Sequence, residues 1–347
     1  MGRLVPGPPP GPRGERAADR RGHRRGRRGT AARPLTRTAR TVQLAVGDVA
    51  AACYPRSALK PVQAVGMLRA GLALDGELLA LSAASHSGEE RHVAGVRRIL
   101  DAAELTPAAL RNTPDLPYDP AVRDTWLARG RCADRLVQNC SGKHAAMLLT
   151  ARRRGWSLHD YTDPRHPLQL ELAATVADLA GEAVAHVAVD GCGAPLFSVS
   201  LLGLTRAVSR IAAAPEGSPE AALARALRRH PDMVAGEGRD VTRLMRAVPG
   251  LIAKDGFEGV QVAALPDGRA VGVKIADGAD RARMPVAAAA LAVCGVDPAA
   301  LSPFAEAPVL GGGAVVGGLR AAGDLARAVA GRPPAAGPPV PVGPSCG

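Results

Sequence analysis

A serine and a lysine stand three residues apart in the stretch PRSALK, residues 55–60. At a helix start that spacing puts both side chains on one face. A serine hydroxyl is a poor nucleophile until a base takes its proton, and a lysine in an apolar pocket is a base of the required kind. Pro55 precedes the pair, and Pro61 falls in the first turn, where a missing N–H costs least. Ser57 and Lys60 are therefore a candidate nucleophile and base. The same spacing also suits a helix-capping serine beside a solvated lysine, so residues elsewhere must decide.

Four other stretches carry chemistry-bearing side chains. In ASHSGEERHV, residues 84–93, Ser87 and Glu90 have capping-box spacing, which assigns Ser87 to a helix start. Ser85 lies just before that helix, where loops display reactive groups; His86 and His92 are possible bases or ordinary, partly buried side chains. In NCSGKHAAM, residues 139–147, Cys140 and Lys143 stand at a helix N-terminus, whose dipole favours a thiolate. In DGCGAP, residues 190–195, Gly191 and Gly193 free the backbone around Cys192. The two cysteines suit one zinc or a plain buried thiol pair, and no CxxC spacing separates the two. In HPDMVAGEGRDVTRLM, residues 230–245, Glu237 sits between two glycines with Arg239 following. That is either a turn presenting charge to a small polar ligand or a connection between helices. Lys274, in VKIADG, falls within an expected strand; turned inward without a partner it is costly, which makes it a candidate site lysine.

These residues need elements to hold them. Apolar spacing predicts a helix over Ser57–Ala73, with Val62, Val65, Leu68 and Leu72 on one stripe. Short strands are expected at Val42–Val49 and Leu78–Ala84. Helices follow from Ser87 and from Thr106-Pro107, then over Lys143–Arg153 and Leu168–Ala180. A strand at Val184–Val189 breaks at DGCGAP. Further helices are expected at Ser198–Ala213, Pro219–Arg229 and Asp240–Ala247, then strands at Leu251–Ala253, Gly259–Leu265 and Arg269–Ile275. Pro266-Asp267-Gly268 is a hairpin signal between the last two. A helix over Met284–Val293 closes the core. Helices in the middle and hairpin strands late in the chain favour α+β over alternating βαβ.

The 347 residues carry a net charge of +12, but residues 1–42 hold twelve arginines against Glu15 and Asp19, so +10 of it belongs to this one segment. Its Arg, Pro and Gly composition cannot bury a core, so a disordered arm is expected there. The arm has no aromatic residue to stack on bases, which argues against a specific nucleic-acid reader. Arginines interrupt any apolar run after its twin-arginine pairs, which disfavours an export signal. A catalytic domain over residues 43–325 and a flexible Ala/Pro/Gly-rich tail over 326–347 complete the expected organisation. No apolar run reaches the length of a membrane span. Six scattered cysteines fit a reducing cytoplasm.

Taken together, PRSALKP, ASHSGEERHV, NCSGKHAAML, DGCGAP, HPDMVAGEGR and GVKIADG resemble, in order, the motifs of zinc-binding, rhizobial-type (class 3) L-asparaginases, from about Val46 to about Leu319. The resemblance implies a serine β-lactamase/glutaminase-like fold: a largely antiparallel sheet flanked by helices, with a helical subdomain. It implies two Ser-Lys pairs, Ser57 with Lys60 and Ser85 with Lys274, and Asp190 near the substrate. It also implies that Cys140, Lys143 and Cys192 bind zinc, with Lys143 acting as the neutral amine. The expected activity is hydrolysis of L-asparagine to L-aspartate and ammonia. Glutaminase or another serine acyl hydrolase is the near alternative, and a non-catalytic homologue the distant one. The expected partners are the small-molecule substrate and a second copy in a homodimer, with neither a specific nucleic acid nor a membrane. The sequence departs from the family at residues 1–42, which lack the strands that lead up to the PRS motif.

Overall fold

From Lys60 to Met67 every residue is buried, and a helix buried all round belongs in the middle of a core. This helix, α1 (Lys60–Arg69), follows a 3-10 turn over Arg56–Leu59. The computed structural model describes residues 41–331, and the helices and strands among them lie in the unit that begins at Gln43. Residues 1–40 of the expected arm and 332–347 of the expected tail lie outside the described residues.

Helices α2 (Gly76–Ser82), α3 (Glu90–Ala102), α4 (Pro120–Ala128), α5 (Ser141–Arg154) and α6 (Pro167–Ala180) follow. The first three turns of α5 are buried on every side, and the helix stops at Gly155, whose φ of 67° is a left-handed cap. Helices α1 and α5 pack against each other and against α2 and α6. Next come α7 (Leu201–Ala212) and α8 (Pro219–Arg229), N-capped by Ser200 and Ser218. Then follow α9 (Pro231–Val234), α10 (Asp240–Ala247), α11 (Arg283–Val293), α12 (Pro298–Leu301) and α13 (Gly323–Val329).

Among the described residues the strands form four antiparallel sheets. Strand β1 (Ala52–Cys53) pairs with β4 (Val199–Ser200), and β2 (Val187–Val189) with β3 (Pro195–Phe197). A meander of β5 (Ile252–Gly256), β6 (Val260–Ala264) and β7 (Ala270–Lys274) forms the largest sheet, and β8 (Glu306–Gly311) pairs with β9 (Ala314–Arg320). Helices α7 and α11 pack on β6 and β7. The other outer strand, β5, runs against the turn that carries Ser57: a Cβ on Gly256 would lie 2.6 Å from Pro55 O.

The result is α+β, with separate small sheets in place of one large antiparallel sheet. Other differences from the sequence reading have local causes. Leu78–Ala84 is not a strand; most of it lies in α2. Its Leu-Leu-Ala-Leu run has no β-branched residue, so only its length suggests a strand. Residues 42–49 form no strand either. Asp48 Oδ1 accepts from the Ala50 and Ala51 N–H groups, a local turn that competes with pairing. Ser87 does not cap a helix: α3 starts at Glu90 with Glu89 as its N-cap, and Ser87 Oγ is buried without a hydrogen-bond partner. Only a 3-10 turn, Pro107–Ala109, forms after Thr106. Helix α13 occupies residues 326–329, which composition assigns to the tail. No helix among the described residues is long and apolar enough to cross a membrane.

The head of α5 sits directly on the end of α2. A Cβ on Gly142 would lie 2.5 Å from Leu81 O, backbone against side chain with no flexible group to yield. Gly142→Ala should therefore cost about 1–3 kcal/mol by overpacking. The check is the urea midpoint at unchanged slope.

Candidate active site

Lys60 is 1 % exposed, and its side chain points away from solvent into the space beneath the Ser85 loop. Its Nζ donates to Ala84 O at 2.6 Å and lies 2.9 Å from Ser85 Oγ. That second distance permits a proton to move either way between hydroxyl and amine. Ser85, itself 4 % exposed, is held by its backbone N–H, which donates to Val234 O. Ser57, three residues before Lys60, is half-buried, and its hydroxyl makes no hydrogen bond among the described residues. The two serines thus differ: Ser85 is engaged with the Lys60 amine and covered, whereas Ser57 is half-buried three residues before Lys60.

A second buried amine comes from β5. Lys254, also 1 % exposed, donates to the backbone and carboxylate oxygens of Asp255. Burial pushes the Lys254 amine down to about 8, against the pull of Asp255. Burial alone would raise the Asp255 carboxyl; the cations Lys254, Arg239 and Arg283 hold it well below the usual carboxylate range. Arg239 Nη2 reaches Asp255 Oδ2 at 2.7 Å, and its guanidinium stacks over the Tyr118 ring. Arg56, ahead of Ser57, has a φ of 50°, which is strained for a side-chain-bearing residue. Its guanidinium pairs with Asp190 at 2.9 Å and with Glu258 at 2.6 Å, and lies over Phe257. Against the effect of burial, Lys143, Lys60 and Arg56 lower the Asp190 pKa.

Cys140 and Cys192 are buried side by side with Ala194 as a small cluster of their own. Lys143, 1 % exposed, puts its Nζ 3.4 Å from Cys192 Sγ. Hydrogen bonding from Cys140 and the Lys143 charge bring the Cys192 thiol down to about 5, against the effect of burial, while the same hydrogen bond and burial push Cys140 up. Among the described residues no group of three or more His, Cys, Asp or Glu side chains gathers as a metal site. With the Lys143 amine, however, the two thiols make a three-donor set. Two zinc donors at ordinary bond lengths and a tetrahedral angle lie about 3.6 Å apart; Lys143 Nζ and Cys192 Sγ stand at a hydrogen-bond distance of 3.4 Å. Thiols and a neutral amine are donor types that zinc accepts.

The fold thus gathers Lys60, Ser85, Asp190 and Arg239 near the thiol–amine group, with Ser57 three residues before Lys60 on the turn that leads into α1. Two expected site residues are placed elsewhere. Lys274 does not meet Ser85; it sits at the end of an outer strand, donating to Glu258 O and Ile275 O at 2.8 Å. Glu237 faces outward, paired with Arg246 and Arg91. Residues that sequence reasoning passed over are Lys254, Asp255, Arg56 and Tyr118. Lys254 carries the same signal as Lys274, a lysine in an apolar strand, but the expected strand stops at Ala253.

A family model described as L-asparaginase II matches residues 21–321. The chain belongs to the L-asparaginase II family. At family level this makes it an L-asparaginase-type amidohydrolase with a small-molecule substrate. No curated relative matches the chain. The match extends over the elements that carry Lys60, Ser85, Cys140, Lys143, Asp190 and Cys192.

The Lys254 amine, facing Asp255, Lys60 and Arg239, gives a pH prediction. Its folded pKa of about 8 lies below the ordinary 10.5. Between those values the unfolded chain binds the extra proton, so stability rises with pH there, and below about 8 this contribution is constant. Carbon-13 NMR of labelled lysine should show the midpoint near 8. Asp255→Asn should move it lower still; an upward move would mean that Asp255 does not sustain the charge.

Proposed function

We propose that the protein hydrolyses L-asparagine to L-aspartate and ammonia through a serine acyl-enzyme, as a zinc-binding, class 3 member of its family. The observation that carries this is the buried Lys60 amine, 2.9 Å from Ser85 Oγ and three residues from the half-buried Ser57. In this reading Ser57 Oγ adds to the side-chain amide carbon while its proton passes to Lys60, with Ser85 orienting the amine. The C–N bond then breaks as the departing nitrogen takes that proton and leaves as ammonia. A water molecule adds to the resulting ester, and Ser57 regains its proton as aspartate departs. Asp190 suits the substrate's ammonium and Arg239 its carboxylate. The serine β-lactamase/glutaminase-like kinship implied by the motifs belongs to the same reading.

Cys140, Lys143 and Cys192 would hold zinc, with the fourth position open. Bound there, it would supply a positive centre beside Asp190 that tunes substrate affinity and provides no nucleophile. Every described cysteine is free, which suits the reducing cytoplasm and homodimeric enzyme that complete the reading.

The deciding experiment is ammonia release by purified protein from asparagine and glutamine. Ser57→Ala and Lys60→Met should each lower turnover by about three orders of magnitude or more with the fold retained. The double variant should be no worse than either, because the residues act as one unit. Mass spectrometry should find the trapped acyl group on Ser57; an adduct on Ser85 would exchange the two serines' roles. Preference for glutamine would make the protein a glutaminase, and binding without ammonia a non-catalytic homologue.

Elemental analysis should find about one zinc per chain. Cys192→Ser should lower it, serine being the harder and less acidic ligand. Chelation should raise KM more than it lowers kcat. Protein free of metal as purified and after zinc addition would sink the site.

A further inference from the structure

The ring of His86 is fully buried, one residue from Ser85, and takes no part in the chemistry above. Its hydrogen bonds define its tautomer. The Gly88 N–H donates to Nδ1 at 3.2 Å, so Nδ1 carries no proton. The proton is on Nε2, which lies 2.8 Å from Ser141 Oγ. The Ser141 hydroxyl in turn donates to Leu136 O at 2.7 Å, so its oxygen accepts from the ring. The chain runs in one direction, from Gly88 through His86 and Ser141 to Leu136, with each donor matched.

The backbone supports the same junction. The His86 N–H donates to Asn139 O, and on either side Ser85 and Ser87 donate to Val234 O and Ala235 O. The other face of the ring is covered by His92, stacked at 5.2 Å between centroids and 18° between planes. His92 Nε2 lies 3.0 Å from Asp232 O, a carbonyl that only accepts, so Nε2 of this ring carries a proton. A charged His86 has no anion to meet: burial, His92 and Lys60 all hold its pKa well below the ordinary histidine value.

Both ring nitrogens are occupied by partners within the chain, so His86 is no general base. Ser141 is the first residue of α5, between Cys140 and Lys143. We propose that His86 is a positioning residue whose neutral Nε2–H ring bolts the Ser85 loop to the head of α5, so that the Lys60–Ser85 pair and the Cys140, Lys143 and Cys192 side chains keep one geometry. The positioning role rests on the Ser-Lys reading; the tautomer does not.

Nitrogen-15 NMR of histidine-labelled protein at pH 7 should show His86 as the neutral Nε2–H tautomer, assigned by the signal lost in His86→Gln. An Nδ1–H or charged ring overturns the proposal. Kinetics on asparagine then test the role. His86→Leu removes the donor and should lower kcat about 100-fold, the order expected when reacting groups shift by about 1 Å, with KM changed much less. His86→Gln, whose amide nitrogen stands near the position of Nε2, should recover kcat to within about tenfold of the native value. Equal losses in the two variants at matched melting temperatures, or no loss in His86→Leu, overturn the role. Should His86→Leu fail to fold, Ser141→Ala removes the acceptor and keeps the ring; it should show the same fall in kcat, and unchanged kcat overturns the proposal. A native protein inactive on every amide sinks the amidohydrolase reading alone, and the tautomer then decides whether the His86 junction exists.

Discussion

Three lysine side chains, Lys60, Lys143 and Lys254, are shut away from water, and the fold is arranged to support them. Burying one unpaired charge is prohibitive, so each amine has its own kind of partner. Lys254 has the carboxylate of Asp255, Lys143 the sulfur of Cys192, and Lys60 only a carbonyl and a hydroxyl. The partner decides what the amine can do. A carboxylate stabilises a standing charge, a sulfur is a softer and more polarisable neighbour, and a hydroxyl both donates and accepts. Three lysines in similar burial thus have three different surroundings.

The backbone around this cluster is under constraint as well. The left-handed φ at Arg56 costs of the order of 1–3 kcal/mol, and it stands one residue before Ser57. The Arg56 side chain ties the same turn to the DGCGAP loop through Asp190 and to the β5–β6 connection through Glu258. Gly256 lets β5 lie flush against that turn, and Gly142 lets α5 lie flush against α2. Either close approach would be lost with a single methyl group. Side chains from distant stretches are thus held in place by elements packed closely against one another.

Helices with strong apolar spacing, such as α5, α6 and α8, were legible from the amino acids alone, as was the β6–β7 hairpin with its Pro-Asp-Gly turn, because these depend on residues close in sequence. The reactive side-chain types were legible for the same reason. What was not legible was their pairing. Ser85 and Lys60 are 25 residues apart, and nothing local says that this serine takes that lysine and leaves Lys274 to two carbonyls. The pairing depends on where α1, the Ser85 loop and β5 come to rest. Likewise the Leu78–Ala84 run suits a strand or a buried helix equally by length, and only its packing among α3, α5 and α8 makes it α2. Local chemistry decided which groups were available to react; long-range packing decided which of them meet, since burial and distance are properties of the folded chain.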